Sequence, residues 1–304
     1  MSATPVLSGT ATGNVAVTDA VVLRDAEVHR GGRTIWSHGN LAIPAGTVTA
    51  IVGTNGAGKT TLLDAELGLV PLYAGSITVM GRPAGQNNGM IGYVPQSYIA
   101  GLDSNITARQ SVILGLTGTR FGIHFVTKEE KARAQQVLEF VGLADKADYR
   151  LSELSGGLRQ RAAIAQALVG DPKLLLLDEP LANLDMASQR AVVELLARLN
   201  REWGMTIQVV AHDLNMLLPI LTGAIYLLDG HPHYSPISSV LDSDLLTHLY
   251  GTRIEVVTTP QGDMFVTPDR TLEPKERDQD THDTAEAAHF HEHHHPNPSK
   301  ENNR

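Results

Sequence analysis

Gly53-Thr54-Asn55-Gly56-Ala57-Gly58-Lys59-Thr60 reads G-x-x-x-x-G-K-[ST], and its neighbours leave the chain little freedom in how it folds around it. Before it stands Thr47-Val48-Thr49-Ala50-Ile51-Val52, β-branched and almost wholly apolar, the make-up of a strand buried on both faces. After it, Thr60 to Leu67 reads as the first turns of a helix. A strand, a glycine-rich turn and a helix N-terminus in that order make a phosphate cradle. The glycines let backbone N–H groups turn inward, and the helix end adds partial positive charge. Lys59 is placed to neutralise β- and γ-phosphates, and the Thr60 hydroxyl to complete a Mg²⁺ shell. The segment predicts nucleoside triphosphate binding in an α/β fold.

A chain of 304 residues with 42% hydrophobic residues can bury one large core or two smaller ones, so composition leaves the domain count open. The absence of cysteine excludes disulfides and thiolate metal sites and fits a reducing compartment. A net charge of −9 argues against a general nucleic-acid binder, which needs an extended basic surface. The most apolar stretch, Leu217 to Leu228, is too short to span a bilayer and contains Pro219 and Gly223. Met1 to Ala20 has no Lys or Arg and no apolar centre, so it lacks the form of a secretory signal and reads as a flexible leader.

Strands are predicted at Ala20 to Leu23, Ala26 to Val28, around Ile35-Trp36, and at Asn40 to Ile43, Ser76 to Gly81 and Ile91 to Val94. From Thr107 to about Gly170 the pattern turns helical, with Lys128 to Phe140 charged on one side and apolar on the other, as in a helical insertion between β-rich halves. Leu174 to Leu177 and Thr206 to Val210 are further strands around an amphipathic helix at Ser188 to Trp203. That βαβ alternation implies a parallel sheet with its site at the strands' carboxyl ends. Beyond Pro268 the chain is charged, Pro-containing and without apolar periodicity, so Asp269 to Arg304 is predicted to be disordered.

Asp178 and Glu179 stand at the end of a buried leucine strand, where a carboxylate is costly without a partner. Mg²⁺ would be that partner for Asp178, leaving Glu179 to accept a proton from an attacking water. Ser155-Gly156-Gly157 precedes the helical run Ala162 to Leu168 and can serve as a second anion-binding helix start or as a helix cap.

In this order the pieces resemble the nucleotide-binding subunit of an ATP-binding-cassette (ABC) transporter, over about Val21 to Val257. The resemblance implies a P-loop ATPase core with a mainly parallel sheet, an antiparallel β-subdomain and a helical subdomain at about residues 97–170; outside its span, composition adds a short extension at 258–268 and the His-rich tail at 269–304. It makes Gly53, Asn55, Gly56, Ala57, Gly58, Lys59, Thr60 and Thr61 the Walker A loop, Asp178 the Walker B acid on Mg²⁺ and Glu179 the catalytic base. Ser155, Gly156 and Gly157 become the signature loop, which in the family caps ATP held by the other subunit of a dimer. Gln96 matches the Q-loop glutamine that contacts Mg²⁺ and water, His212 the switch histidine at the γ-phosphate, and Ala182-Asn183-Leu184-Asp185 the D-loop. Two departures stand out. Leu158 occupies a position that is usually Gln or Glu, and the adenine-stacking aromatic aligns near Arg30, so the base would fall to the Arg30 guanidinium, the neighbouring His29 or another group that the sequence does not name.

The tail holds His282, His289, His291, His293, His294 and His295, a density of imidazole that suits Zn²⁺ and related metals, although a solubility tail has similar composition. Val210 to Asn215, Leu217-Leu218-Pro219 and Leu249-Tyr250-Gly251 also resemble the zinc/manganese-uptake branch of the family. The implied function is ATP hydrolysis that powers import of a divalent transition metal, from the cytoplasmic face of the membrane. Its partners would be a twin or second cassette, a separate permease and an extracytoplasmic metal-binding protein. The alternatives are a soluble ABC-type ATPase, or a regulatory nucleotide-binding module not coupled to transport.

Overall fold

The computed structural model describes residues 18–96, 105–118, 125–262 and 264–268. Along the chain run β1 (Asp19–Arg30), β2 (Arg33–Pro44), β3 (Val48–Val52), α1 (Lys59–Glu66), β4 (Ala74–Val79), β5 (Arg82–Pro83) and β6 (Ile91–Val94). Among the described residues the helices α2 (Ala108–Thr117), α3 (Lys128–Phe140) and α4 (Gly156–Leu168) follow, then β7 (Leu174–Asp178), α5 (Met186–Trp203) and β8 (Thr206–Val210). The chain continues through β9 (Gly223–Leu228), β10 (His231–Pro236), α6 (Ile237–Val240), α7 (Ser243–Tyr250), β11 (Ile254–Thr258) and β12 (Met264–Pro268).

The largest sheet has the order β10-β9-β3-β8-β7-β6; β10 is antiparallel at one edge and the other neighbours pair in parallel. Every residue of β3, β7 and β8 is buried, as their unbroken apolar runs require of strands covered on both faces. The side-chain alternation of a strand then divides each run between two cores. Leu175 and Leu177 join Val137, Leu138, Ile164 and Leu196 beneath the helices. Leu174 and Leu176 join Val21, Trp36, Ile43 and Leu63 on the opposite face. That second core is shared with a four-stranded antiparallel sheet of order β2-β1-β4-β5, so the sequence motif lies between two sheets that both pack on α1.

The strand pairs predicted near residues 20–28 and 35–43 are each one continuous strand, β1 and β2, bent where the register shifts. Asp25 (φ 44°) and His38 (φ 52°) sit at the bends, and the extra residues bulge outward so that Leu23, Ala26 and Val28 all stay buried. Asp19 and Ala20, read as the end of the leader, belong instead to β1, and Ala20 is fully buried. Thr107 with Gln110 and Thr127 with Glu130 form reciprocal capping boxes that start α2 and α3. The boundary read at Val257 falls inside β11, whose Val257 and Thr258 pair with Phe265 and Met264 of β12. Val256 and Val266 on the inner face of that hairpin pack against the helical core.

Candidate functional site

The phosphate loop joins β3 to α1 with Gly53, Gly56 and Gly58 at φ 153°, 82° and 97°. Gly58 is obligatory for two reasons: it caps α1 in the left-handed region, and a Cβ there would come within 2.5 Å of Ile35 Cγ2. Lys59 is 7% exposed and curls back over the loop, donating to the Gly53 carbonyl at 2.8 Å and the Thr54 carbonyl at 3.0 Å. Burial holds its pKa below the usual lysine range, while the carboxylates of Glu179 and Asp178 pull it the other way. The loop thus sets a partly desolvated cation at the N-terminus of α1, which is the electrostatic requirement for binding a polyanion. Asn55 and Thr60 are exposed, whereas Thr61 is buried in the helix.

Thr60 Oγ1 donates to Asp178 Oδ2 at 3.0 Å, joining the start of α1 to the end of β7. Asp178 is 3% exposed, and its Oδ1 is buried with no hydrogen-bond partner. Burial raises its pKa, the Thr60 bond lowers it, and the Glu179 charge raises it further. An orphaned carboxylate oxygen beside a threonine hydroxyl is a hard-oxygen donor set that fits Mg²⁺.

Glu179 follows in the left-handed region (φ 52°), with its N–H tied to the Val210 carbonyl of β8 at 3.1 Å. A non-glycine residue held there stores about 1–3 kcal/mol of strain, and the chain leaves the sheet at this point. Both carboxylate oxygens are engaged. Gln96 Nε2 donates to Oε2 at 2.7 Å and His212 Nε2 lies 2.5 Å from Oε1. The Glu179 side chain is mostly covered, while His212 is half exposed. Three residues far apart in sequence, at the ends of β6, β7 and β8, therefore meet on one carboxylate. A cavity of about 200 Å³ opens beside them, lined by Glu179, His212, Leu181, Asn183, Gln189 and Met216; the phosphate loop is not part of its wall.

Ser155, Gly156 and Gly157 lie elsewhere, at the start of α4. Ser155 is exposed and caps the helix by accepting from the Leu158 N–H at 3.4 Å. Gly157 is buried against α5, where an added Cβ would sit 2.5 Å from Ser188 Oγ. Among the described residues no hydrogen bond joins this turn to the phosphate loop. Leu158 turns its side chain into the helical core, so its position serves packing. Asp185 caps α5 through Ser188 N–H at 2.9 Å and Ser188 Oγ at 2.7 Å, which lowers its pKa. His29 stacks on Tyr73 with ring centroids 3.9 Å apart and bonds Glu27 and Thr34, while Arg30 stays exposed at the end of β1. The tail histidines, His282 and His289 to His295, lie outside the described residues. Among the described residues no group of three or more His, Asp or Glu side chains could hold a metal, and no helix is long and apolar enough to cross a membrane.

Sequence reasoning missed the tie between the histidine loop and the C-terminus. Asn215 bonds both backbone groups of Val266, at 2.9 and 2.8 Å. It also missed a buried polar pair in the second core's side of the sheet, Glu66 and Gln208, both fully buried. The signal for the pair was present, a lone Glu in α1 and a lone Gln in β8 amid apolar neighbours.

The family model described as ABC transporter matches residues 37–182. The zinc transport system ATP-binding protein TroB of Treponema pallidum is 37% identical over 223 residues, 73% of this chain and 84% of that protein. The phosphonates import ATP-binding protein PhnC of Stutzerimonas stutzeri is also 37% identical, over 232 residues, 71% of this chain and 83% of that protein. Among solved structures, an ABC transporter of metal-chelate type in an inward-facing conformation superposes with a TM-score of 0.74 at 26% identity, covering 83% of this chain and 98% of that one. With the phosphate loop, the Asp178-Glu179 strand end and the histidine loop in one constellation, the chain belongs to the ATP-binding subunits of the ABC transporter family, ATPases that couple hydrolysis to transport.

Proposed function

We propose that this chain is the ATP-hydrolysing subunit of an importer for a divalent transition metal, zinc or manganese, acting as a dimer at the cytoplasmic face of the membrane on a separate permease. The observation that carries the hydrolytic part is the meeting of Gln96, His212 and Glu179 beside the Thr60–Asp178 pair. In this reading Gly53 to Thr61 cradle the triphosphate, and Lys59 exchanges its two loop carbonyls for phosphate oxygens. Thr60, Asp178 and Gln96 would hold Mg²⁺, which when bound neutralises charge on the phosphates. Glu179 takes the proton of the attacking water. His212 and Gln96 each hold one of its oxygens, which fixes the lone pair that receives the proton and costs no reorganisation at the moment of reaction. Of the two named candidates for adenine, His29 is already stacked on Tyr73 and Arg30 is exposed, which favours Arg30.

The place of Ser155 supports a composite site. Its turn makes no bond to its own phosphate loop, so a second copy related by two-fold symmetry would supply it, as isologous pairing allows. Mixing two inactive full-length variants, Lys59→Ala and Ser155→Arg, tests this. The heterodimer contains one intact composite site, and mixing should recover about a quarter of wild-type hydrolysis. A mixture as inactive as its components would reject the shared site.

The metal cargo is supported by the likeness to TroB and to the metal-chelate-type structure. A phosphonate cargo is the second reading, favoured by the equal identity to PhnC. Co-purified with its permease and an extracytoplasmic binding protein, the complex should be stimulated in ATP hydrolysis by Zn²⁺ or Mn²⁺. Stimulation by a phosphonate alone would transfer the assignment.

A further inference from the structure

We infer that Asn215, through the β11–β12 hairpin it grips, is a positioning residue for His212; the inference rests on the hydrolytic role proposed for that histidine. The chain from Ala211 to Leu217 is a loop, yet it must hold a half-exposed imidazole against Glu179. At its start the Ala211 N–H donates to the Ile51 carbonyl at 3.2 Å, and further on Leu214 and Leu217 are buried. Between these anchors Asn215 takes over. Its own N–H bonds Asp213 Oδ1 at 2.8 Å, closing a short turn directly after His212. Its side-chain amide donates to the Val266 carbonyl at 2.9 Å and accepts from the Val266 N–H at 2.8 Å.

Those are the two bonds that a neighbouring strand would make to β12. They are available because Val256 and Val266 face each other as a pair whose backbone groups point out of the hairpin, and the Val256 N–H likewise turns outward to Ser243 Oγ at 3.1 Å. The side chain at this place must present one donor and one acceptor, which an amide does; a carboxylate lacks the donor and alanine lacks both. On the other side of the loop the Tyr250 hydroxyl lies 3.5 Å from the His212 carbonyl. The histidine loop is thus held from the C-terminal segment as well as from the sheet.

A clasp that only stabilised the fold would leave turnover alone, whereas a positioning residue lowers kcat without weakening ATP binding, since the phosphate loop is untouched. Full-length Asn215→Ala, Val266→Pro, His212→Ala and the Asn215→Ala/His212→Ala double variant should be compared in Mg-ATP hydrolysis. Val266→Pro removes the N–H from the hairpin side and keeps Asn215, so the two variants break the same contact from opposite ends, and either suffices if the other fails to fold. Each should lower kcat about five- to twentyfold with KM for ATP within about twofold of wild type. The double variant should be no slower than His212→Ala alone. Wild-type kcat in the clasp variants beside a slow His212→Ala, or losses that add in the double variant, would overturn the inference while sparing the histidine's role. Normal turnover in His212→Ala would overturn that role and the inference with it.

Discussion

At the scale of single residues, the proposed site would work by leaving charge incompletely satisfied in a place where substrate can complete it. Lys59 is buried against carbonyls that cannot neutralise it, Asp178 keeps one oxygen without a partner, and Glu179 is fixed by two neighbours in a strained backbone. Removing the charge of the last should stop proton acceptance and leave the rest standing. Glu179→Gln is expected to cut kcat by about a hundredfold or more and to retain ATP binding. Size-exclusion chromatography with ATP should show that variant as a dimer, and a variant that turns over normally would disprove the base assignment. Asp178→Asn keeps the shape and loses the anion, so the Mg²⁺ concentration for half-maximal activity should rise about tenfold or more in a metal titration.

At the scale of elements, helices and strands meet closely enough that some small or polar residues have one tolerable identity. Gly157 lets α4 approach the start of α5, and a methyl group there would strike the Ser188 side chain and push on the Asp185 cap. Gly157→Ala should destabilise the fold by about 1–3 kcal/mol in denaturant unfolding, with the displaced cap lowering activity as well. The pair of Glu66 on α1 and Gln208 on β8 is a different case. Burial raises the Glu66 pKa to about 8, and the adjacent Gln208 amide lowers it by a smaller amount without completing a hydrogen bond to either oxygen. A carboxyl whose folded pKa exceeds its unfolded value adds stability at low pH and loses it as pH rises through the folded value. The melting temperature should therefore fall from about pH 4.5, the ordinary carboxyl value, to about pH 8 and level off above. Glu66→Gln should flatten that slope, and an unchanged slope would show that other groups carry it.

At the scale of the whole molecule, the described residues belong to one compact unit in which the antiparallel sheet and the main sheet share a core over α1. That arrangement seats α1, and the phosphate loop that leads into it, between the two sheets, while Ser155 stands apart at the start of α4. Ending the chain after Pro268 leaves the β11–β12 hairpin whole, so basal ATP hydrolysis should be preserved. Zn²⁺ binding measured by calorimetry should drop if the tail imidazoles take metal, and equal binding with and without Asp269 to Arg304 would dismiss them as ligands.

What the sequence determined by itself was everything encoded by local pattern: the glycine loop between an apolar strand and a helix, the leucine run that ends in Asp178-Glu179, and a helix start at Ser155. Spacing within a few residues decides those, because strand burial, turn geometry and capping are short-range. The tertiary structure decided what depends on where strand ends converge. Gln96, Glu179 and His212 are joined only because β6, β7 and β8 lie side by side, and Asn215 acquires its partner only because β12 returns to the histidine loop. The continuity of β1 and β2 through their bulges, and the burial of Glu66 and Gln208, were also settled by packing. Their local sequence carries polar or breaking residues whose cost is offset by neighbours the sequence does not place.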